Sequence, residues 1–169
     1  MQKQTFDTEI GGKKLSVEFS PLAPQTNSSL LVTYGGTVIL ANVVMSKKPK
    51  EGAGYFPLVV DYEEKFYAAG RILGSRFMRR EARPSDEAIL VSRLIDRTIR
   101  PLFDQRMRYD VQLVILALSV DEENDPDIPA VLGASLALLT SDIPWQGPVS
   151  AIRVSKINDA LVLNPSHKE

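Results

Sequence analysis

The sequence predicts a single α+β domain, a mixed α/β arrangement in which a sheet packs against helices. The first half reads as β-hairpins, because two apolar runs at 29–33 and 37–45 meet at Gly35-Gly36, and both glycines can take the positive φ of a two-residue turn. Helical spacing of apolar residues begins after Ser85, and a near-continuous apolar run fills 111–120. Strands followed by a helix, a strand, a second helix and a last hairpin are typical of this fold class.

The early strands are expected to be antiparallel. Residues 13–19 alternate between apolar and polar side chains directly after a turn at Gly11-Gly12. The polar, basic segment 47–50 is expected to leave the sheet as a connection, and another strand is expected around Leu58–Tyr62.

The first helix is expected to run from Ser85 to about Arg100. Ser85 is the expected N-cap, and the two acids after it complement the helix dipole. Pro101 disfavours helical geometry at the residue before it, which places the end of the helix. The residues expected to face the core are Leu90, Val91, Leu94, Ile95 and Leu102.

The second half is expected to be more deeply buried. The run at 111–120 predicts a central strand covered on both faces. A helix from about Ile128 to Thr140, with Asp127 as its N-cap, is apolar almost all round and is expected to pack against the sheet. A last hairpin is expected across 149–163, with its turn at Asn158-Asp159.

Composition narrows the possible functions. The chain has 169 residues, with 20 Lys and Arg, 21 Asp and Glu, one His and no Cys. The absence of cysteine excludes a disulfide scaffold, an iron–sulfur cluster and a thiol nucleophile within the chain, and it is compatible with a cytoplasmic location. The single His167 argues against a histidine-based zinc site or a Ser-His-Asp triad. No apolar run approaches the roughly 18 residues that span a bilayer, so we expect no membrane association.

Arginine is concentrated in one part of the chain. Eight of the eleven arginines fall within residues 71–100, which carry a net charge of +4 although the whole chain is at −1. One group lies in the loop 74–80 beside Phe77, where guanidinium groups could bind phosphate oxygens and the ring could stack on an unpaired base. The other group is spaced i, i+4, i+7 on one helix face and consists of Arg93, Arg97 and Arg100.

These arginines predict a surface for nucleic acid or polyphosphate, but the pattern leaves an alternative open. Basic side chains on a helix are often only a solvated face. Glu81, Asp86 and Asp96 are close enough in the sequence to form salt bridges with some of them.

Two acidic groups are weaker candidates for chemistry. The first alternates as in a calcium loop and consists of Asp121, Glu123, Asp125 and Asp127. Pro126 stands where such a loop needs glycine and Leu132 where it needs glutamate, so a solvated loop with a helix cap is the better interpretation.

The second acidic group, Asp61, Glu63 and Glu64, lies at a strand end and could assist acid–base chemistry, although surface carboxylates are the simpler interpretation. The sequence contains no Walker A, GxGxxG or GxSxG motif. The residues by themselves therefore indicate no catalytic centre and no metal site in this chain.

A long arginine-rich segment carries a family resemblance. Residues 67–103 read YAAGRILGSRFMRREARPSDEAILVSRLIDRTIRPLF, and the likeness continues through 56–72, 125–138 and 157–165. Together these segments resemble the first RNase PH-like core of the bacterial polynucleotide phosphorylases. The resemblance covers essentially the whole chain, so we expect residues 1–169 to form that core domain, with further strands and a helix needed after residue 169 to complete it.

The resemblance implies an activity for the parent protein. It would degrade single-stranded RNA by 3′-to-5′ phosphorolysis, releasing nucleoside diphosphates. It would act in mRNA decay as a homotrimeric ring, with other RNA-degradation proteins as partners. Mg²⁺ and inorganic phosphate would be bound by a second core that is absent here. The RNA-binding residues that the resemblance implies are Phe77, Met78, Arg79, Arg80, Arg83, Arg93, Arg97 and Arg100. Met78 departs from the usual second aromatic, and methionine cannot stack on a base as a ring does.

The turn before the second helix explains why this core should lack a phosphate site of its own. In the second core of the family this turn is serine-rich and holds phosphate at a helix N-terminus. Here it is acidic at Asp125 and Asp127, which would repel phosphate, and Pro126 removes one amide donor. We therefore expect the isolated chain to be inactive. The alternative is a non-catalytic RNase PH-like ring subunit of the exosome type.

Overall fold

A computed structural model describes residues 3–19, 22–72, 83–121 and 123–166. Six strands form one sheet in the order β1-β2-β3-β4-β6-β5, in which β5 and β6 are parallel and all other neighbours are antiparallel. The strands are β1 Gln4–Ile10, β2 Lys13–Phe19, β3 Ser28–Tyr34, β4 Thr37–Pro49, β5 Leu58–Glu64 and β6 Tyr109–Ser119. The predicted mixed α/β class and the hairpin at Gly35-Gly36 are confirmed.

Strand β4 is longer than the sequence predicts. The basic segment 47–50, expected to be a connection, is mostly part of β4, because Pro49 pairs with Tyr109 beyond a break in register after Met45. Ser46 helps to hold this end, since its Oγ accepts a hydrogen bond of 3.0 Å from the backbone N–H of Asp110. The charged side chains remain exposed, which is why the segment resembles a loop in the sequence.

Strand β6 lies between β4 and β5, which confirms the predicted central position. The prediction that both of its faces are covered is wrong. Val111, Leu113, Ile115 and Ala117 are buried, whereas the side chains between them are at least partly exposed. Successive side chains of a strand point to opposite faces, so one face of the sheet lies in the core and the other is only shielded by its neighbours. The apolar run therefore does not indicate two covering layers here.

Two helices, α1 Asp86–Ile99 and α2 Asp127–Leu139, contribute to one hydrophobic core with the sheet. Helix α2 approaches β3 and β4 closely: a Cβ on Gly133 would lie 3.1 Å from the Cβ of Ala41. The predicted burial of this helix is confirmed. It begins at Asp127, with Pro126 rather than Asp127 in the N-cap position, so the predicted cap is wrong by one residue. The Asp127 carboxylate is instead bound by an arginine described below.

The apolar stripe predicted for α1 is wrong in part. Ile95 is fully buried, as are Ala88 and Ile99, but Leu90 is 66% exposed and Leu94 is 45% exposed. At 100° per residue, Leu90 lies about 140° around the helix from Ile95, so the two cannot face the same core. The helix carries apolar residues on two faces, and packing against β5 selects one of them.

The chain ends in a small hairpin, β7 Val154–Ile157 and β8 Ala160–Leu163. Its turn at Asn158 and Asp159 has φ values of 48° and 62°, as predicted for a two-residue turn. Within the described residues, no helix is long and apolar enough to cross a membrane.

Candidate nucleic-acid interface

The outward face of α1 is set by its cap and its buried side. The Ser85 Oγ accepts a hydrogen bond of 3.1 Å from the backbone N–H of Ala88, which confirms the predicted N-cap. Trp145 closes the other end, because its indole N–H donates to the carbonyl of Ile99 at 3.1 Å. With Ile95 facing inward, the opposite face of the helix is turned to solvent.

Arg93 and Arg97 lie one turn apart on this solvent-facing side, and Arg83 is exposed just before the helix. Among the described residues, none of the ion pairs involves these three arginines. Asp96, which the sequence left open as a partner, is bound by Arg100 instead. Three guanidinium groups are thus available to an external anion, and planar guanidinium groups bind phosphate oxygens well.

Arg100 is placed differently. Its Nε donates to Asp96 Oδ2 at 3.0 Å, and its Nη2 donates to Asp96 Oδ1 at 2.5 Å and to the carbonyl of Leu58 at 3.1 Å. The salt-bridge alternative therefore holds for this arginine. RNA contact by Arg100 stays a prediction.

The predicted loop residues Phe77, Met78, Arg79 and Arg80 lie outside the described residues, in the gap 73–82. Arg83 follows that gap directly, so the loop and the first turn of α1 are adjacent in the chain.

A cleft of about 350 Å³ is lined by residues of α1 and of the edge strand β5. Asp61, Glu63 and Asp96 contribute carboxylates to it, together with Arg93 and Arg100. Asp61 accepts a hydrogen bond from Gln112 at 2.8 Å, and Glu63 forms an ion pair with Lys65 at 2.6 Å. Each of these carboxylates has its own partner, so they do not form a paired acid and base.

Glu64, the third acid predicted at this strand end, binds a buried tyrosine. Tyr62 donates its hydroxyl to Glu64 Oε1 at 2.6 Å. Burial, and then the hydrogen bond and charge of Glu64, raise the pKa of Tyr62 above its ordinary value. The phenol therefore stays protonated at neutral pH and remains a donor, which is a structural role.

Asp121, in the acidic turn, supports the hairpin at Gly35-Gly36. Its Oδ2 accepts from the N–H of Gly36 at 2.7 Å, and its Oδ1 accepts from the N–H of Asn124 at 2.6 Å. Burial opposes ionisation of Asp121, but hydrogen bonds from Asn124, Gly36 and Glu123 outweigh it and lower the pKa. This carboxylate therefore serves the loop rather than a cation.

The other two acids of the turn are held by Arg153. Its Nη1 donates to Asp125, and its Nη2 donates to Asp127 Oδ2 at 2.8 Å. Both carboxylates are largely buried at the start of α2. Among the described residues, no group of three or more His, Cys, Asp or Glu side chains is arranged to hold a metal ion. The carboxylates of the acidic turn, which are bound by Arg153 and by backbone amides, do not fit a metal site.

Residues 11–144 match the model of the 3′ exoribonuclease family, domain 1, also called RNase PH. The chain belongs to this family. It is 51% identical over 164 residues to a polyribonucleotide nucleotidyltransferase of Exiguobacterium sibiricum, with 97% of this chain and 22% of that protein aligned. The corresponding protein of Alkaliphilus oremlandii is 52% identical over 166 residues, covering 98% of this chain and 23% of the relative. The chain thus spans about a fifth of the length of these curated relatives.

The RNase PH fold is also found in a solved structure. The crystal structure of rice (Oryza sativa) Rrp46 aligns with a TM-score of 0.67 over 98% of this chain and 69% of that one. At 15% identity this likeness concerns the fold alone. It confirms the predicted class for this RNase PH domain.

Two residues whose side chains form long-range hydrogen bonds in this RNase PH domain were not identified from the sequence. Arg153 lies 26 residues beyond Asp127, and no local pattern connects them. Ser92 donates to the carbonyl of Val60 at 2.6 Å, which a helical pattern does not reveal. The pair of Asp96 with Arg100 had a usable signal, because the two are spaced i, i+4 on a helix.

Proposed function

We propose that the chain is the RNA-binding first RNase PH-like core of a polyribonucleotide nucleotidyltransferase. The observation that carries the proposal is a sequence identity of 51–52% to curated proteins of that name, over 97–98% of this chain. The reaction would be phosphorolysis of single-stranded RNA from its 3′ end, with inorganic phosphate attacking the terminal phosphodiester. An oxygen of inorganic phosphate bonds to the phosphorus of the terminal nucleotide, and the bond from that phosphorus to the 3′ oxygen of the preceding nucleotide breaks. The products are a nucleoside diphosphate and an RNA shortened by one nucleotide.

The role of this core would be to hold the RNA. Arg83, Arg93 and Arg97 are exposed, and in this proposal they bind backbone phosphates without reading the bases. In this proposal the loop residues Phe77, Met78, Arg79 and Arg80, which precede Arg83 in the chain, add stacking and charge.

The chemistry would take place outside this chain. Asp125 and Asp127 occupy the amino end of α2 together with Arg153, which leaves no place there for inorganic phosphate. Phosphate and Mg²⁺ would be bound by a second core. When bound, Mg²⁺ would offset the negative charge of the phosphoryl oxygens. A homotrimer, a cytoplasmic location and association with RNA-degradation proteins belong to the same proposal.

The product identifies the reaction. The full-length protein, incubated with poly(A), Mg²⁺ and inorganic phosphate, is expected to release ADP only when phosphate is present. Release of AMP without phosphate would indicate hydrolysis and contradict the proposal. The 169-residue chain alone is expected to release neither nucleotide, and ADP release by it would place a catalytic centre within the chain.

A non-catalytic ring subunit of the exosome type is the second candidate. It is favoured only by the likeness to rice Rrp46, which concerns the fold. ADP release by a single purified polypeptide would exclude it, whereas a need for a separate catalytic subunit would support it.

A further inference from the structure

Helix α1 is attached to the open edge of the sheet at two points. Strand β5 is the last strand on its side, so one row of its backbone groups has no strand to pair with. The Ser92 Oγ donates to the carbonyl of Val60 at 2.6 Å, and the Arg100 Nη2 donates to the carbonyl of Leu58 at 3.1 Å. Ser92 within α1 and Arg100 directly after its last residue thus bind carbonyls two residues apart on the strand.

Asp96 orients the guanidinium that makes the second attachment. It accepts from Arg100 Nε at 3.0 Å and from Nη2 at 2.5 Å, so the planar group is held along one edge. The Leu58 carbonyl then accepts from the same Nη2. A guanidinium bound in this way has a fixed orientation, unlike one that extends freely into solvent.

The attachment bears on Arg93 and Arg97 because it adds to the core packing that places α1. They lie on the same helix, exposed and without an ion pair to any described residue. Whether their guanidinium groups meet neighbouring phosphates depends on how α1 is rotated and shifted along β5. Contacts of this kind require placement to within a few tenths of an ångström, since hydrogen bonds weaken steeply with distance and angle.

We propose that Arg100 is a positioning residue, which together with Asp96 and Ser92 holds α1 against β5 and so places Arg93 and Arg97 on the phosphates of single-stranded RNA. The inference rests on the proposed function, because it takes RNA as the ligand of this helix face. Arg100 acts through the other two arginines and adds no phosphate contact of its own.

A double-mutant cycle tests this in the full-length protein. Binding of a short single-stranded RNA is titrated at several salt concentrations for Arg100→Gln, for the double variant Arg93→Gln/Arg97→Gln, and for the triple variant. The double variant is expected to lose about tenfold or more in affinity, with a shallower salt dependence. Arg100→Gln is expected to lose about three- to tenfold in the parent but less than about twofold in the double variant, because residues that act through one another are not additive.

Each result bears on one of the two proposals. If Arg100→Gln lowers affinity by the same factor in both backgrounds, Arg100 contacts RNA directly and the positioning role is wrong. If it changes only the thermal midpoint and leaves affinity unchanged, its role is structural and the inference is also wrong. If the double variant binds RNA like the parent, the RNA surface proposed for this core is wrong, which is a separate failure.

A matched pair of acid variants provides a second measurement. Asp96→Asn and Asp86→Asn each remove one negative charge from α1, but only Asp96 is bound to Arg100. If Arg100 positions the helix, Asp96→Asn should bind RNA less tightly than Asp86→Asn. If Arg100 is a phosphate ligand restrained by Asp96, the order should be reversed.

Discussion

Arg153 and Asp127 are joined by a hydrogen bond of 2.8 Å although 26 residues separate them. The same guanidinium binds Asp125, so an arginine that precedes β7 pairs with both carboxylates at the amino end of α2. Free amides at a helix start attract anions, and here the anions are supplied by the chain itself. The cluster therefore connects the segment before the final hairpin to the core.

Replacing Arg153 by Met should destabilise the domain. It would remove the charged hydrogen bonds that Arg153 donates to two largely buried carboxylates, and breaking bonds of this kind costs about 2–4 kcal/mol. Urea unfolding at pH 7 measures the loss. Arg106→Met is the matched control, because the pair of Arg106 with Asp104 is fully exposed and its loss should leave the midpoint almost unchanged. Equal effects of the two variants would contradict the structural role of Arg153.

The stabilising contribution of Asp121 should depend on pH. Its pKa is lowered in the folded protein, so the contribution is fully present above the ordinary carboxyl pKa of about 4 and is lost as the pH falls through the lowered folded value. Asp121→Asn should therefore cost about 1–2 kcal/mol at pH 7, because asparagine has one accepting oxygen and its N–H₂ group cannot accept, so the bond from either Gly36 or Asn124 is lost. Unfolding of both proteins at pH 7 and pH 3 tests this, and a difference that does not shrink at pH 3 would count against it.

Substitution of Gly35 should cost more than its backbone conformation alone explains. Gly35 and Gly12 both have positive φ, 59° and 76°, so alanine is strained at either position, by about 1–2 kcal/mol. A Cβ at Gly35 would also lie 2.3 Å from Nδ2 of the buried Asn124, whereas at Gly12 it meets nothing within 4 Å. Gly35→Ala should thus lower the thermal midpoint clearly further than Gly12→Ala. Similar shifts would mean that the acidic loop moves aside without cost.

The two apolar faces of α1 should respond differently to truncation. Ile95→Ala removes a fully buried side chain and should cost about 2–4 kcal/mol. Leu90→Ala removes one that is 66% exposed and should cost well under about 1 kcal/mol. Denaturant unfolding of the 169-residue chain checks both values. A large effect at Leu90 would show that another surface covers this face.

Local patterns predicted most of the secondary structure. The Ser85 cap, the glycine and Asn158-Asp159 turns, and the small-residue face of α2 depend on backbone preferences and short-range spacing, which the sequence displays directly. The errors occur where two local solutions are equally good. Leu90 and Ile95 both continue an apolar stripe, and only the position of β5 decides which of them is buried.

In the candidate site, too, local sequence patterns predicted some features and tertiary contacts decided others. The concentration of arginine near α1 was visible in the sequence, and Arg93 and Arg97 are exposed there. The attachment of Arg100 to the sheet was not visible in the sequence, because its second partner is the carbonyl of Leu58, 42 residues earlier in the chain. Every residue has a backbone carbonyl, so residue types do not indicate which carbonyl accepts a hydrogen bond from a distant side chain.

By itself, the sequence determined the family resemblance, the α+β class, the turns and the +4 segment within a chain of net charge −1. These properties depend on residue identity and on neighbours within a few positions. Only the tertiary structure decided that Arg100 binds the edge of β5, that Arg153 binds Asp125 and Asp127, and that β6 is fully buried on one face. Each of those outcomes depends on contacts between groups that are distant in the sequence. The entropic cost of closing a loop grows only slowly with its length, so many such contacts are possible and packing selects among them.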